Sequence, residues 1–60
     1  MKYVIHLTLK KVARGSGGDR YEGTFSKKNV VLYFPQVISR PDGLPVKRLQ
    51  VEVRGDENDV

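Results

Sequence analysis

A chain of 60 residues with no cysteine has few ways to hold itself together. A domain of this size buries only about 60% of the surface its unfolded chain exposes. Its core rarely supplies more than about 3–5 kcal/mol of net stability. Disulfides, a metal site or self-association usually make up the difference. Disulfides are impossible here. A structural zinc site needs four N or S ligands, and His6 is the only histidine. No metal and no cofactor is therefore expected. Self-association remains, and a homodimer is the physical expectation.

The alternation of apolar and polar residues fixes the fold class. In residues 3–9, Tyr3, Ile5, Leu7 and Leu9 are apolar, while His6 and Thr8 between them are polar. This period of two predicts a strand with one buried face. The pattern slips at Lys10-Lys11-Val12-Ala13, which predicts a bulge or a strand running past its sheet. Gly15-Ser16-Gly17-Gly18-Asp19 reads as a flexible loop. Residues 20–26 form the second strand, with Tyr21 and Phe25 on one face and Glu22, Thr24 and Ser26 on the other. The link is too short for a parallel crossover, so the pair is antiparallel. Lys27-Lys28-Asn29 reads as a tight turn, since Asn tolerates positive φ.

Val30-Val31-Leu32-Tyr33-Phe34 is apolar on both faces, the pattern of a central strand or of one covered by a second body. Pro35 ends it, and residues 35–39 read as a single helical turn. Arg40-Pro41-Asp42-Gly43-Leu44-Pro45 is a turn in which Pro presets φ, Asp bonds local backbone and Gly takes the awkward dihedral. In residues 46–54, Leu49, Val51 and Val53 face one way and Arg48, Gln50, Glu52 and Arg54 the other. The expectation is a mostly all-β domain over residues 1–54, a four-stranded antiparallel meander or small open barrel. An acidic, disordered tail is expected over 55–60.

Charge narrows the partner. The chain carries eleven Lys or Arg and seven Asp or Glu, a net charge of +4. Three of the acids lie in residues 55–60, so residues 1–54 hold eleven bases against four acids, a net of +7. Such a body attracts polyanions. No apolar run approaches the roughly 20 residues that span a bilayer, and Lys10 and Lys11 interrupt the first apolar stretch too early for a signal peptide. The expectation is a cytoplasmic protein without membrane association.

Catalytic constellations are weak. His6 has no acid near it in sequence and reads as a structural histidine rather than the partner of Ser16, Ser26 or Ser39. Asp19, Glu22, Asp42 and Glu52 read as solvated acids in turns or on polar strand faces. Gly15, Gly17 and Gly18 do not complete a dinucleotide fingerprint, because Arg20 stands where the third Gly belongs, and no helix follows. No enzymatic activity and no small-molecule substrate is expected.

The bases gather at strand ends and loops. Aromatic rings on a sheet flanked by cations form the usual platform for single-stranded nucleic acid. The candidate contacts are Lys10, Lys11, Arg14, Arg20, Lys27, Lys28, Arg40, Lys47 and Arg48 for phosphate, with Tyr21, Phe25 and Tyr33 for stacking. The acidic tail resembles in layout the C-terminal ends of several single-strand binding proteins. Asn29 to Ile38, followed by Leu49-Gln50-Val51-Glu52-Val53, resembles the strand–Pro–turn–strand of swapped-hairpin, AbrB-type DNA-binding dimers. Those carry Gly-Asp near the last strand, whereas Asp42-Gly43 stands elsewhere here, so no residue role is carried across and no family is assigned.

The sequence therefore leads to a small basic protein that binds nucleic acid, single-stranded rather than duplex, with little sequence preference. The rival is an interaction or inhibitory module in which Val31 and Tyr33 anchor another protein.

Overall fold

The computed structural model describes residues 1–55. Four antiparallel strands form one open sheet: β1 (Lys2–Lys11), β2 (Asp19–Phe25), β3 (Lys28–Phe34) and β4 (Arg48–Arg54). One helical turn, α1 (Gln36–Ser39), lies between β3 and β4. The expected strand content and the short turn are both present. Gly55 closes the end of the sheet by donating its N–H to the Met1 carbonyl. The rest of the acidic tail, residues 56–60, lies outside the described residues.

The strand order is β3-β2-β1-β4. The first three strands run as a meander, and the fourth returns to lie beside the first, the order of a Greek key. Two readings change. The apolar run of β3 forms an edge strand, not a central one. The positive φ values of the β2–β3 hairpin fall on Ser26 (52°) and Lys27 (66°), not on Asn29, which lies in β3. The pairing of Phe25 with Lys28 leaves a two-residue loop, and two left-handed residues are what a type I′ turn requires.

Cross-strand register divides the side chains between two faces. Tyr3, Ile5, Leu7, Leu9, Tyr21, Val30, Phe34, Leu49, Val51 and Val53 share the inner face. Ile5, Leu7 and Tyr21 are its buried centre, and the others pack around them. Tyr21 and Phe34 meet edge to face, with ring centroids 5.5 Å apart. His6 lies on the outer face, among the polar positions of β1, and is exposed.

Gly23 lets β2 pass close to the backbone of β1. A Cβ at this position would collide with the His6 carbonyl oxygen and stand 3.0 Å from Leu7 Cδ2. Glycine inside a strand often marks such a close backbone approach. Beyond it, the Phe25 and Tyr3 rings stack with centroids 4.5 Å apart. The expected bulge in β1 is present, as a register shift between Leu9 and Lys11.

Residues 35–47 run from one edge of the sheet to the other and close the core at the end where β1 stops. The Tyr21 hydroxyl donates to the Val46 carbonyl, and Val46 packs against the core. Arg40 and Gly43 close the expected turn, the Gly43 N–H lying 3.2 Å from the Arg40 carbonyl oxygen; Gly43 takes φ +92°. Burial pushes the Tyr21 phenol above its usual pKa, so it stays a neutral donor. Tyr21→Phe should keep the ring packing and strand the Val46 carbonyl, at a cost of about 1–2 kcal/mol. Urea unfolding should show the midpoint lowered with its slope unchanged.

Candidate nucleic-acid interface

The bulge and the register of three strands bring four of the expected contacts together. Arg20 pairs with Lys11 on one side and with Tyr33 on the other. All three lie on the outer face, in a row across β1, β2 and β3. Beside the row, the β1–β2 loop folds up and adds Arg14. Lys11, Arg14, Arg20 and Tyr33, with Gly17 and Gly18, line an open cleft of about 660 Å³. The Tyr33 ring is the most exposed aromatic of the chain, at 64%.

The loop that carries Arg14 is tethered, contrary to the flexible link expected from its glycines. The Gln36 side-chain amide donates to the Gly15 carbonyl at 2.6 Å and to the Gly17 carbonyl at 2.9 Å. The Ala13 N–H donates to Asp19 Oδ1 at 2.8 Å. Arg14 therefore springs from backbone fixed on both sides. Among the described residues, neither Lys11 nor Arg14 belongs to an ion pair. Arg20 does, with Glu22 at 2.7 Å. Its charge is partly balanced, and Lys11 and Arg14 supply most of the positive potential in the cleft.

Asp19 anchors this arrangement, and it is not the solvated acid its place after a Gly-rich loop suggests. It is fully buried. Arg40 grips it with two N–H groups, Nε at 3.0 Å and Nη2 at 2.9 Å. The Ser39 hydroxyl donates at 2.6 Å to Oδ2, the oxygen that also accepts from Arg40 Nε. Arg40 also reaches the Ala13 carbonyl at 3.3 Å. Donation from Arg40, then from Ser39 and Ala13, holds the Asp19 carboxyl well below the usual carboxylate range, and desolvation opposes this only in part. Asp19 in turn holds Arg40 more firmly protonated.

Two expected contacts therefore have other work. Arg40 is consumed by Asp19 and belongs to the fold. Tyr21 has no exposed surface because β2 is an inner strand, and it belongs to the core. Phe25 is partly exposed but stacks on Tyr3 at the far end of the inner face. Lys27 and Lys28 sit at that far end too, beside the hairpin turn and away from the cleft. Lys10, Lys47 and Arg48 are exposed at the cleft end. The Lys47 carbonyl accepts from the Leu9 N–H, and Arg48 pairs with Thr8. They extend the cationic surface from the cleft toward β4.

Among the described residues no group of His, Cys, Asp and Glu is placed to hold a metal ion. Among the same described residues no helix is long and apolar enough to cross a membrane. Comparison with protein-family models, with curated proteins and with solved structures gives no match to the chain.

Proposed function

We propose that the protein binds single-stranded nucleic acid at the cleft beside Tyr33, with little sequence preference, and that the acting species is a pair of copies. The observation that carries the reading is the exposed Tyr33 ring standing in register with Arg20 and Lys11 and lining the same cleft as Arg14. An aromatic face accepts any base, and fixed cations on either side accept the phosphates that flank it. Little in the cleft can tell one base edge from another, so the reading carries no sequence code. A duplex presents its bases edge-on and stacked, which leaves the ring without a partner.

Tyr33→Ala separates stacking from charge. Base stacking on a protein ring contributes about 1–3 kcal/mol. The variant should bind a single-stranded oligonucleotide roughly tenfold or more weakly. Its residual charge-driven affinity for duplex should stay as in the parent. Fluorescence anisotropy with both probes reads the two numbers. An equal loss on both probes, or none on either, would contradict the stacking role.

The second reading makes the same surface a protein-docking face. Val31, exposed at 41% on the outer face of β3 beside Tyr33, favours it. Capture of one protein partner after nuclease treatment, with no oligonucleotide binding at low salt, would select it.

A further inference from the structure

The two edges of the sheet differ in how they are guarded. Proteins protect an open strand edge with charge, proline or bulges, because its unpaired N–H and C=O groups accept any passing strand. The β4 edge carries Arg48, Glu52 and Arg54 in alternation. The β3 edge has no such guard from Val30 to Phe34, where five apolar residues follow one another. Val31, Leu32 and Tyr33 are exposed at 41%, 37% and 64%.

We infer that β3 is the pairing edge of a symmetric homodimer, joined antiparallel to β3 of a second copy with Leu32 at the two-fold axis. The inference deepens the pairing element of the proposed function and is independent of whether nucleic acid binds.

Self-complementarity selects a second copy as the occupant. With Leu32 at the axis, Val30 meets Phe34 of the second copy, and Val31 meets its Tyr33. Each apolar side chain gains an apolar neighbour on its own face. Leu32, left partly exposed on the inner face, is covered by its own counterpart, which continues the core across the joint. No like charges oppose one another, a pairing that would destabilise a sheet. Lys28 falls opposite Gln36 of the second copy, beyond its strand. A second copy also supplies burial to a molecule whose buried apolar residues are Ile5, Leu7 and Tyr21.

The geometry has a consequence for the cleft. A two-fold axis perpendicular to a continuous sheet keeps the outer faces of both copies on the same side. The eight-stranded sheet therefore presents two Tyr33 rings and two cationic clefts to one strand of nucleic acid. Linked sites raise apparent affinity without any new contact.

Sedimentation velocity across the micromolar range tests the pairing. The parent chain should sediment as a dimer. Leu32→Lys should sediment as a folded monomer, because it sets two ammonium groups face to face at the axis, with the dissociation constant raised on the order of a hundredfold. Leu32→Glu should do the same, and mixing the two variants should restore the dimer. Circular dichroism checks the fold. Should either Leu32 variant unfold, Val31→Lys combined with Tyr33→Lys on the exposed outer face replaces it with the same expected result, because these two positions meet across the joint and each would oppose two ammonium groups. A parent chain that stays monomeric, or a folded variant that stays dimeric, would overturn the inference. Because no oligonucleotide is present, either failure leaves the binding reading to be judged separately.

Discussion

Asp19→Ala should leave the chain without a cooperative thermal transition above about room temperature, because breaking a buried ion pair costs as much as the whole net stability of a domain this size. The substitution removes one side chain and strands three donors: the Arg40 guanidinium, the Ser39 hydroxyl and the Ala13 N–H. The stranded guanidinium dominates, since a charge left without its partner is penalised more than a neutral group. Asp19→Ala combined with Arg40→Met should therefore be more stable than Asp19→Ala alone. Thermal melts by circular dichroism compare the two. Equal melting would mean that Arg40 reaches water and the cluster is worth little.

The same residue makes stability fall in acid. Its carboxyl titrates lower in the folded chain than in the unfolded one, where the ordinary value is 3.8. The unfolded state then binds the proton more tightly. The contribution of Asp19 is complete above that value and drains away as pH falls below it. Asp19→Asn should remove this component of the acid dependence, leaving a weaker chain whose unfolding midpoint varies less between about pH 4 and pH 2.

The second large effect falls on binding. Lys11→Ala with Arg14→Ala should weaken single-stranded binding on the order of a hundredfold near 50 mM salt, taking about 1.5 kcal/mol for each charged contact. The loss should be alike for every sequence, because phosphate contacts carry no sequence information. The slope of log affinity against log salt should flatten by about 1.4, at roughly 0.7 per phosphate contact on a single strand. Neither side chain forms an ion pair among the described residues, so melting should be nearly unchanged. Lys27→Ala with Lys28→Ala, at the far end of the sheet, should cost much less.

Period-two alternation made most of the sheet legible. The inward sets Ile5-Leu7-Leu9 and Leu49-Val51-Val53 follow from composition along each strand, since a one-residue slip would turn either set to water. The strand order does not follow, because local pattern says nothing of which edges meet after a connection as long as residues 35–47. That gap is why the apolar run of β3 leaves a central strand and one covered by a second body as alternatives, of which the strand order excludes the first.

The cleft was half legible. The basic residues near the first loop are visible in the chain, but their assembly around Tyr33 depends on the β2–β3 register. Asp19 was missed although a signal existed: the alternation that turns Tyr21 inward turns Asp19 inward two residues earlier. Its neighbours Gly17 and Gly18 suggest solvent, and nothing local reveals that Ser39 and Arg40, on the turn that follows the adjacent strand β3, close over it. Gln36 was missed for the same reason, as its hydrogen bonds to Gly15 and Gly17 span about twenty residues.

The most direct test is the affinity of the unmodified protein for a short single-stranded oligonucleotide, measured from low to high salt. A cationic cleft that neutralises phosphates releases counterions, so log affinity should fall linearly with log salt, by about 0.7 for each phosphate engaged. With Lys11, Arg14 and Arg20 engaged, the slope should be near −2 per cleft. An affinity that stays flat across the range, or no binding at the lowest salt, would contradict it.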